Sequence, residues 1–165
     1  MALTPAQQQT LKAYIEADGT LNAFPQNSDG AFEIARLLNL DASPDYVVYK
    51  QEVMTDEIGK AVNYVAVEAT TTANKDSITL FYRMNPLTCN PSRTDVRAFF
   101  DDVFSGALGG EGQNTRDALQ ALWRRLATRF ESIYAVGAGT DVSPSTLVVV
   151  GSVSYPEVQQ ARNLP

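Results

Sequence analysis

Apolar side chains recur at helical spacing through most of the chain. Thr4, Pro5 and Gln7 open the first helix as N-cap, first-turn proline and capping-box partner. Leu11, Tyr14 and Ile15 continue it, and Gly19 after Asp18 stops it. A second, shorter helix follows the polar turn of residues 25–30 and carries Phe32, Ile34, Ala35, Leu37 and Leu38. It ends before Ser43-Pro44, where proline disfavours helix. Residues 46–53 contain Tyr-Val-Val-Tyr and read as a strand. Thr55-Asp56-Glu57-Ile58 reads as a short helix start, and residues 64–67 as a second short strand. Residues 71–84 fit both periods. Ile78, Leu80, Tyr82 and Met84 alternate, while Ala73, Ser77, Leu80, Phe81 and Met84 make a helical stripe. Helix is the favoured reading.

Two later helices are predicted. One covers residues 91–105, capped by Asn90, with Val96, Phe99, Phe100, Val103 and Phe104 on one face. The other runs from about 115 to 136 with Leu119, Leu122, Leu126, Phe130 and Ile133. These two form the expected core pair, bringing Phe99, Phe100, Val103, Leu122, Leu126 and Phe130 face to face. Between them, residues 106–114 are glycine-rich and read as a flexible connection. Past Gly137 and Gly139 come an apolar run, Leu147-Val148-Val149-Val150, and a last helix with capping-box spacing from Ser154 to Glu157. The expected fold is mainly α, with a small β element and an extended C-terminal segment. Residues 1–139 would form a helical domain. Residues 140–165 would supply a strand and short helix, packed on that domain or on a neighbouring subunit.

The chain has 165 residues, enough for one domain that buries about 70% of its unfolded surface. No apolar run reaches the ~18 residues of a membrane span, and the opening residues predict no secretory leader. Histidine is absent, which removes the commonest general base and metal ligand and every histidine-based catalytic triad. One cysteine, Cys89, permits no internal disulfide and fits a reducing compartment. The net charge of −6 argues against generic nucleic-acid binding. The acidity concentrates in residues 1–60, which hold nine acidic and four basic side chains.

Each chemical candidate has a plainer structural reading. The glycine-rich segment follows a helix and lacks a Gly-Lys-Ser/Thr, so phosphate binding is disfavoured. Asp56 and Glu57 sit in a first helical turn, and Asp101 and Asp102 on a polar face. Solvated surface suits them better than a metal site or an acid–base pair. Cys89 precedes the expected Asn90 cap, where a helix N-terminus favours a thiolate, but it has no base, so a packed loop residue is the better reading. The arginines are the stronger candidates for contact. Arg125 and Arg129 share a face of the expected long helix, with Arg124 beside them and Arg116 earlier, and Arg93 and Arg97 make a second pair. Arginine is favoured at protein interfaces, and the acidic N-terminal third of a neighbouring molecule offers a complement. The apolar run Leu147, Val148, Val149 and Val150 is the other candidate, pairing by default with residues 46–53 or 64–67, or else with a neighbour's sheet edge.

Several short motifs together resemble small uncharacterised proteins encoded in the structural gene block of tailed bacteriophages. They are the opening Met-Ala-Leu-Thr-Pro-Ala-Gln with Leu11-Lys12-Ala13, the Asn27-Ser28-Asp29-Gly30 turn, and Asp56-Glu57-Ile58. Asn90-Pro91-Ser92, Arg125-Leu126-Ala127-Thr128-Arg129 and Ser154-Tyr155-Pro156-Glu157-Val158 complete the set. The resemblance covers most of the chain in order, with residues 46–84 matching least. It implies a non-enzymatic virion component, in a head–tail connector or tail ring, assembled in the host bacterial cytoplasm. Its partners would be other virion proteins and copies of itself, with no cofactor, membrane or small-molecule substrate. A phage- or prophage-encoded cytoplasmic regulator that binds a host protein is the alternative, and a small enzyme with a carboxylate-bound metal a further one. If the arginine faces carry the contact, replacing Arg125 and Arg129 by Glu leaves the chain folded and blocks assembly.

Overall fold

A computed structural model describes residues 2–165. More than half of the chain is helical, with a few short antiparallel strands, so the fold is mainly α. The chain divides into two compact units. Unit 1 takes both ends, Met1–Val48 and Leu126–Pro165, and unit 2 is the intervening Tyr49–Arg125. The compact units therefore follow a different line from the expected boundary at residue 139/140. The C-terminal residues pack on the N-terminal helices, one of the two placements expected for them.

Unit 1 opens with α1 (Pro5–Ala17), where Thr4 and Gln7 form the expected capping box. Asp18 ends α1 and caps a one-turn α2 (Gly19–Asn22), its carboxylate accepting from the backbone N–H groups of Thr20 and Leu21 at 2.9 Å each. The α3 helix (Ser28–Leu38) is capped by Asn27 and buries Ile34, Ala35 and Leu38. Gly30 lies so close to the turn before it that an added Cβ would sit 2.0 Å from the Pro25 carbonyl oxygen. After residues 126–165 return to this unit come α9 (Arg129–Ile133), a two-residue hairpin pair and α10 (Tyr155–Arg162). The pair is β5 (Ala135–Val136) with β6 (Thr146–Leu147), antiparallel, in the register Ala135 to Leu147. The helix α10 rests on α1 and α3, and Val149, Val153, Val158 and Ala161 enter one core with Leu11, Ile15, Ile34, Leu38 and Phe130. Polar clamps hold the returning segment. The Asn39 side-chain amide exchanges two hydrogen bonds with the Val153 backbone, at 2.8 and 2.9 Å. Lys12 donates to the Leu164 carbonyl at 2.6 Å, and the Arg162 fork to the carbonyls of Phe24 and Pro25 at 2.8 Å each.

Unit 2 is built from α4 (Thr55–Ala61), α5 (Tyr64–Ala69), α6 (Thr72–Met84), α7 (Thr94–Val103) and α8 (Gly109–Leu122). A short antiparallel pair, β2 (Val53–Met54) with β3 (Thr88–Cys89), ties α4 to the end of α6. The centre is aromatic. The Phe100 ring meets Phe81 at 4.9 Å, Phe99 at 5.0 Å, Trp123 at 5.5 Å and Phe104 at 6.4 Å between centroids. The two chain crossings between the units fall on β1 (Val47–Tyr49) and β4 (Arg124–Leu126).

Five sequence expectations are corrected in whole or in part. The long helix of residues 115–136 is α8, β4, α9 and β5 in succession. Helix α8 stops at Leu122, and Thr128 with Glu131 builds a fresh capping box for α9. The expected core pair therefore forms only in part: Phe99, Phe100, Val103 and Leu122 pack together in unit 2, but Phe130 packs in unit 1 and Leu126 is exposed. Residues 64–67 are helical, because the Asn63 side chain accepts from the Val65 N–H at 2.8 Å and starts α5. The glycine-rich segment is a 3-10 turn at Gly106–Leu108 followed by the first turn of α8. Residues 91–105 shrink to Thr94–Val103, since Asn90 folds an Asx turn onto the Ser92 N–H (2.9 Å) instead of capping the helix. The ambiguous residues 71–84 are helix, as favoured.

Candidate protein-contact surface

The arginines scatter over several elements and take different roles. Arg129 belongs to unit 1, where its guanidinium pairs with Asp18 and its Nε donates to the Tyr14 hydroxyl at 2.9 Å. Both members of the ion pair are about three-quarters buried. Arg97 turns inward within unit 2. One of its terminal nitrogens donates to the carbonyls of Pro91 and Ser92 at 2.7 Å each, and its guanidinium carbon lies 4.0 Å from the centre of the Tyr49 ring. Arg116 bonds Gln113 along α8. Arg124 bonds Gln120 at 2.7 Å, leaving its buried Nε without a hydrogen-bond partner. Arg125 is half-buried on β4. Arg93 alone of the six is broadly exposed, its Nε donating to Asp95 at 3.0 Å. The expected shared arginine face is therefore absent, because the helix that was to carry Arg124, Arg125 and Arg129 breaks after Leu122.

Arg129 and Asp18 give a stability prediction with a definite sign. The Leu21 N–H holds the Asp18 carboxyl below its ordinary value, helped by Arg129 and the Thr20 N–H against the opposing effect of burial. A lowered folded-state pKa adds stability above the ordinary carboxylate value, and that share is lost as pH falls through the folded value. Asp18→Asn keeps the cap and removes the charge. It is expected to cost about 1 kcal/mol at neutral pH, and the difference from wild type vanishes on acidification, as urea titrations at stepped pH will show. Arg129→Glu, which sets a carboxylate beside Asp18, destabilises unit 1. The Arg125/Arg129 double exchange is therefore expected to weaken the fold as well, and urea unfolding of the variant checks this.

The apolar run is divided by its own pleat. Leu147 and Val149 are buried in unit 1, while Val148 and Val150 are 65% and 40% exposed. Thr146 and Leu147 pair with Val136 and Ala135. Residues 46–53 meet the run through Val48, which packs with Leu147 in a small buried cluster, and beside it the Ser145 N–H donates to the Val47 carbonyl at 2.9 Å. Gly151, at φ 107°, then turns the chain out of the extended path.

Among the described residues no group of three or more acidic or cysteine side chains is placed to hold a metal ion. Asp56 pairs with Lys60 and Asp95 with Arg93. Cys89 is buried opposite Val53, and burial pushes its thiol up to about 11, so it is a protonated packing residue at neutral pH. No helix among the described residues is long and apolar enough to cross a membrane.

What the surface does offer is exposed apolar side chains beside grooves. On unit 2, Leu80 and Met84 of α6 are 56% and 72% exposed. They border a groove of about 390 Å³ whose far wall is Arg93, Val96 and Phe99. The Phe81 ring, stacked on Phe99 at 5.3 Å, separates this groove from the core. On unit 1, Phe32, Leu40 and Tyr155 border a second groove of about 470 Å³. These contacts escaped the sequence reading, which used the stripe on residues 73–84 only to argue helix. The signal was present. Ile78, Phe81 and Tyr82 already supply an inward face, so Leu80 and Met84 are surplus to it.

The charge asymmetry also resolves by unit. Unit 1 carries nine acidic and four basic side chains, and unit 2 ten and nine. Comparison of the chain with family models, curated proteins and solved structures finds no match in any of the three.

Proposed function

We propose that this chain is a non-enzymatic assembly protein of a tailed-phage virion, a component of the head–tail connector or tail ring that works through contacts with other virion proteins and with copies of itself. The phage assignment rests on the ordered set of short motifs from Leu11-Lys12-Ala13 to the Ser154–Val158 segment. The assembly role is supported chiefly by the exposed Leu80 and Met84 beside their groove on unit 2. Exposed apolar side chains rimmed by polar ones mark contact sites, and the exposed Arg93–Asp95 pair supplies that rim.

Mass spectrometry of purified particles tests the reading. The chain is expected in particles at a stoichiometry of several copies, released only with the connector or tail. A chain found free in the infected cell, absent from particles and bound to a host protein, overturns it in favour of a cytoplasmic regulator.

A further inference from the structure

Helix α6 carries more apolar surface than its own unit uses. Ile78 faces the core, with Phe81 and Tyr82 half-buried beside it. On its outer flank Ala73, Ser77, Leu80 and Met84 follow one another at intervals of four, three and four, up to the last residue of the helix. Alternating steps of four and three are the spacing of a seam that meets another helix. Ala73, Leu80 and Met84 are exposed and Ser77 half-exposed. The Ser77 hydroxyl is spent on the Ala73 carbonyl at 2.9 Å, so it presents a small, satisfied surface.

The seam is graded, with small side chains at its N-terminal half and large ones at its C-terminal half. We infer that α6 packs antiparallel against the α6 of a second copy about a two-fold axis centred between Ser77 and Leu80. This order sets Ala73 against the second copy's Met84 and Ser77 against its Leu80. Each large side chain then meets a small one, as close packing requires. A parallel pairing sets Leu80 on Leu80 and Ala73 on Ala73, crowding one end and hollowing the other.

Charge favours the same arrangement. Asp76 and Arg83 are exposed, seven residues apart, on the solvent side of the seam. Neither side chain has a hydrogen bond or ion pair among the described residues. In the antiparallel pair Asp76 faces the second copy's Arg83, and symmetry makes the pair twice. The groove wall of Val96 and Phe99 lies beside the seam and adds apolar area to a helix of 13 residues. A contact of one short helix and the groove wall beside it is expected to be weak in an isolated dimer, with a Kd of about 10 μM, and repetition around an assembly strengthens it. The inference names a second copy as one partner and so deepens the assembly reading, on which its biological role rests.

Sedimentation velocity of the purified chain between about 1 and 500 μM tests it. The mass is expected to rise from 18.0 kDa to twice that value. Leu80→Asp should hold it at the single-chain mass with an unchanged circular dichroism spectrum. Asp76→Arg alone should raise Kd about tenfold, and Asp76→Arg with Arg83→Asp should restore it, a rescue that a folding defect does not produce. Orientation is read by cross-linking in a Cys89→Ser background. Ala73→Cys with Met84→Cys should give an interchain disulfide, because the two sites stand about 16 Å apart on one helix, beyond disulfide reach. A single-chain mass throughout, a dimer indifferent to Leu80→Asp, or a disulfide formed by Ala73→Cys alone overturns the antiparallel pair. Failure here with the chain still present in particles leaves the virion reading standing, and a dimer absent from particles does the reverse.

Discussion

Phe100→Ala is expected to lower the unfolding free energy of unit 2 by about 3–5 kcal/mol. The ring is 1% exposed and touches four other aromatic rings, so its removal leaves a void that their rigid outlines cannot close. Trp123 makes the measurement specific. It is the chain's one tryptophan, is 1% exposed and belongs to this core, so its fluorescence during urea denaturation reports unit 2 directly. Phe99→Ala is the control. Phe99 is half-buried and lies at the groove, so its loss should cost clearly less than that of Phe100. Equal costs for the two would show that the stack, not the buried centre, carries the stability.

Glu131→Ala is the second large effect, expected to cost unit 1 about 2–4 kcal/mol. Glu131 is 2% exposed, and its two carboxylate oxygens take different partners. One accepts from the Thr128 N–H at 3.1 Å and completes the cap of α9, and the other accepts from the Gly151 N–H at 3.0 Å. Truncation strands both donors. Glu131→Gln keeps one carbonyl oxygen and should fall between wild type and Ala. Thr128→Ala, which removes only the reciprocal cap bond, should cost about 1 kcal/mol. Urea unfolding followed by far-ultraviolet circular dichroism ranks the three, and a Glu131→Ala cost no larger than that of Thr128→Ala would show that the Gly151 bond contributes nothing.

Local signals carried the sequence reading furthest where one side chain meets its own backbone. The caps at Thr4 and Ser154 and the stripe on residues 71–84 are decided within a few residues, and all three elements are present. The same kind of signal was overlooked at Thr128 and Glu131. Leu122, Leu126 and Phe130 continue a helical period across them, and the period masked the break. That break depends on where Trp123 and Phe130 are buried, and the two belong to different units. No local pattern states that. The short strands failed for a related reason. Tyr64-Val65-Ala66-Val67 has strand propensity, but Asn63 starts a helix turn there and Ala66 alone of the four is fully buried. The arginine faces inherited the error of the long helix. Their partners, Asp18 and Tyr14 for Arg129 and Tyr49 for Arg97, are distant in sequence and invisible to spacing. The α6 seam was legible as a stripe, but its exposure depends on which face the aromatic centre claims.

Because unit 1 is closed by residues 149–161 while its first helices precede the whole of residues 49–125, synthesis order dictates folding order. On a ribosome the inserted unit has all its residues in hand first, whereas Leu11, Ile15 and Ile34 must wait for their lids until residues 149–161 have been made. A polypeptide cut short before residue 149 keeps those side chains uncovered, which marks it for proteolysis.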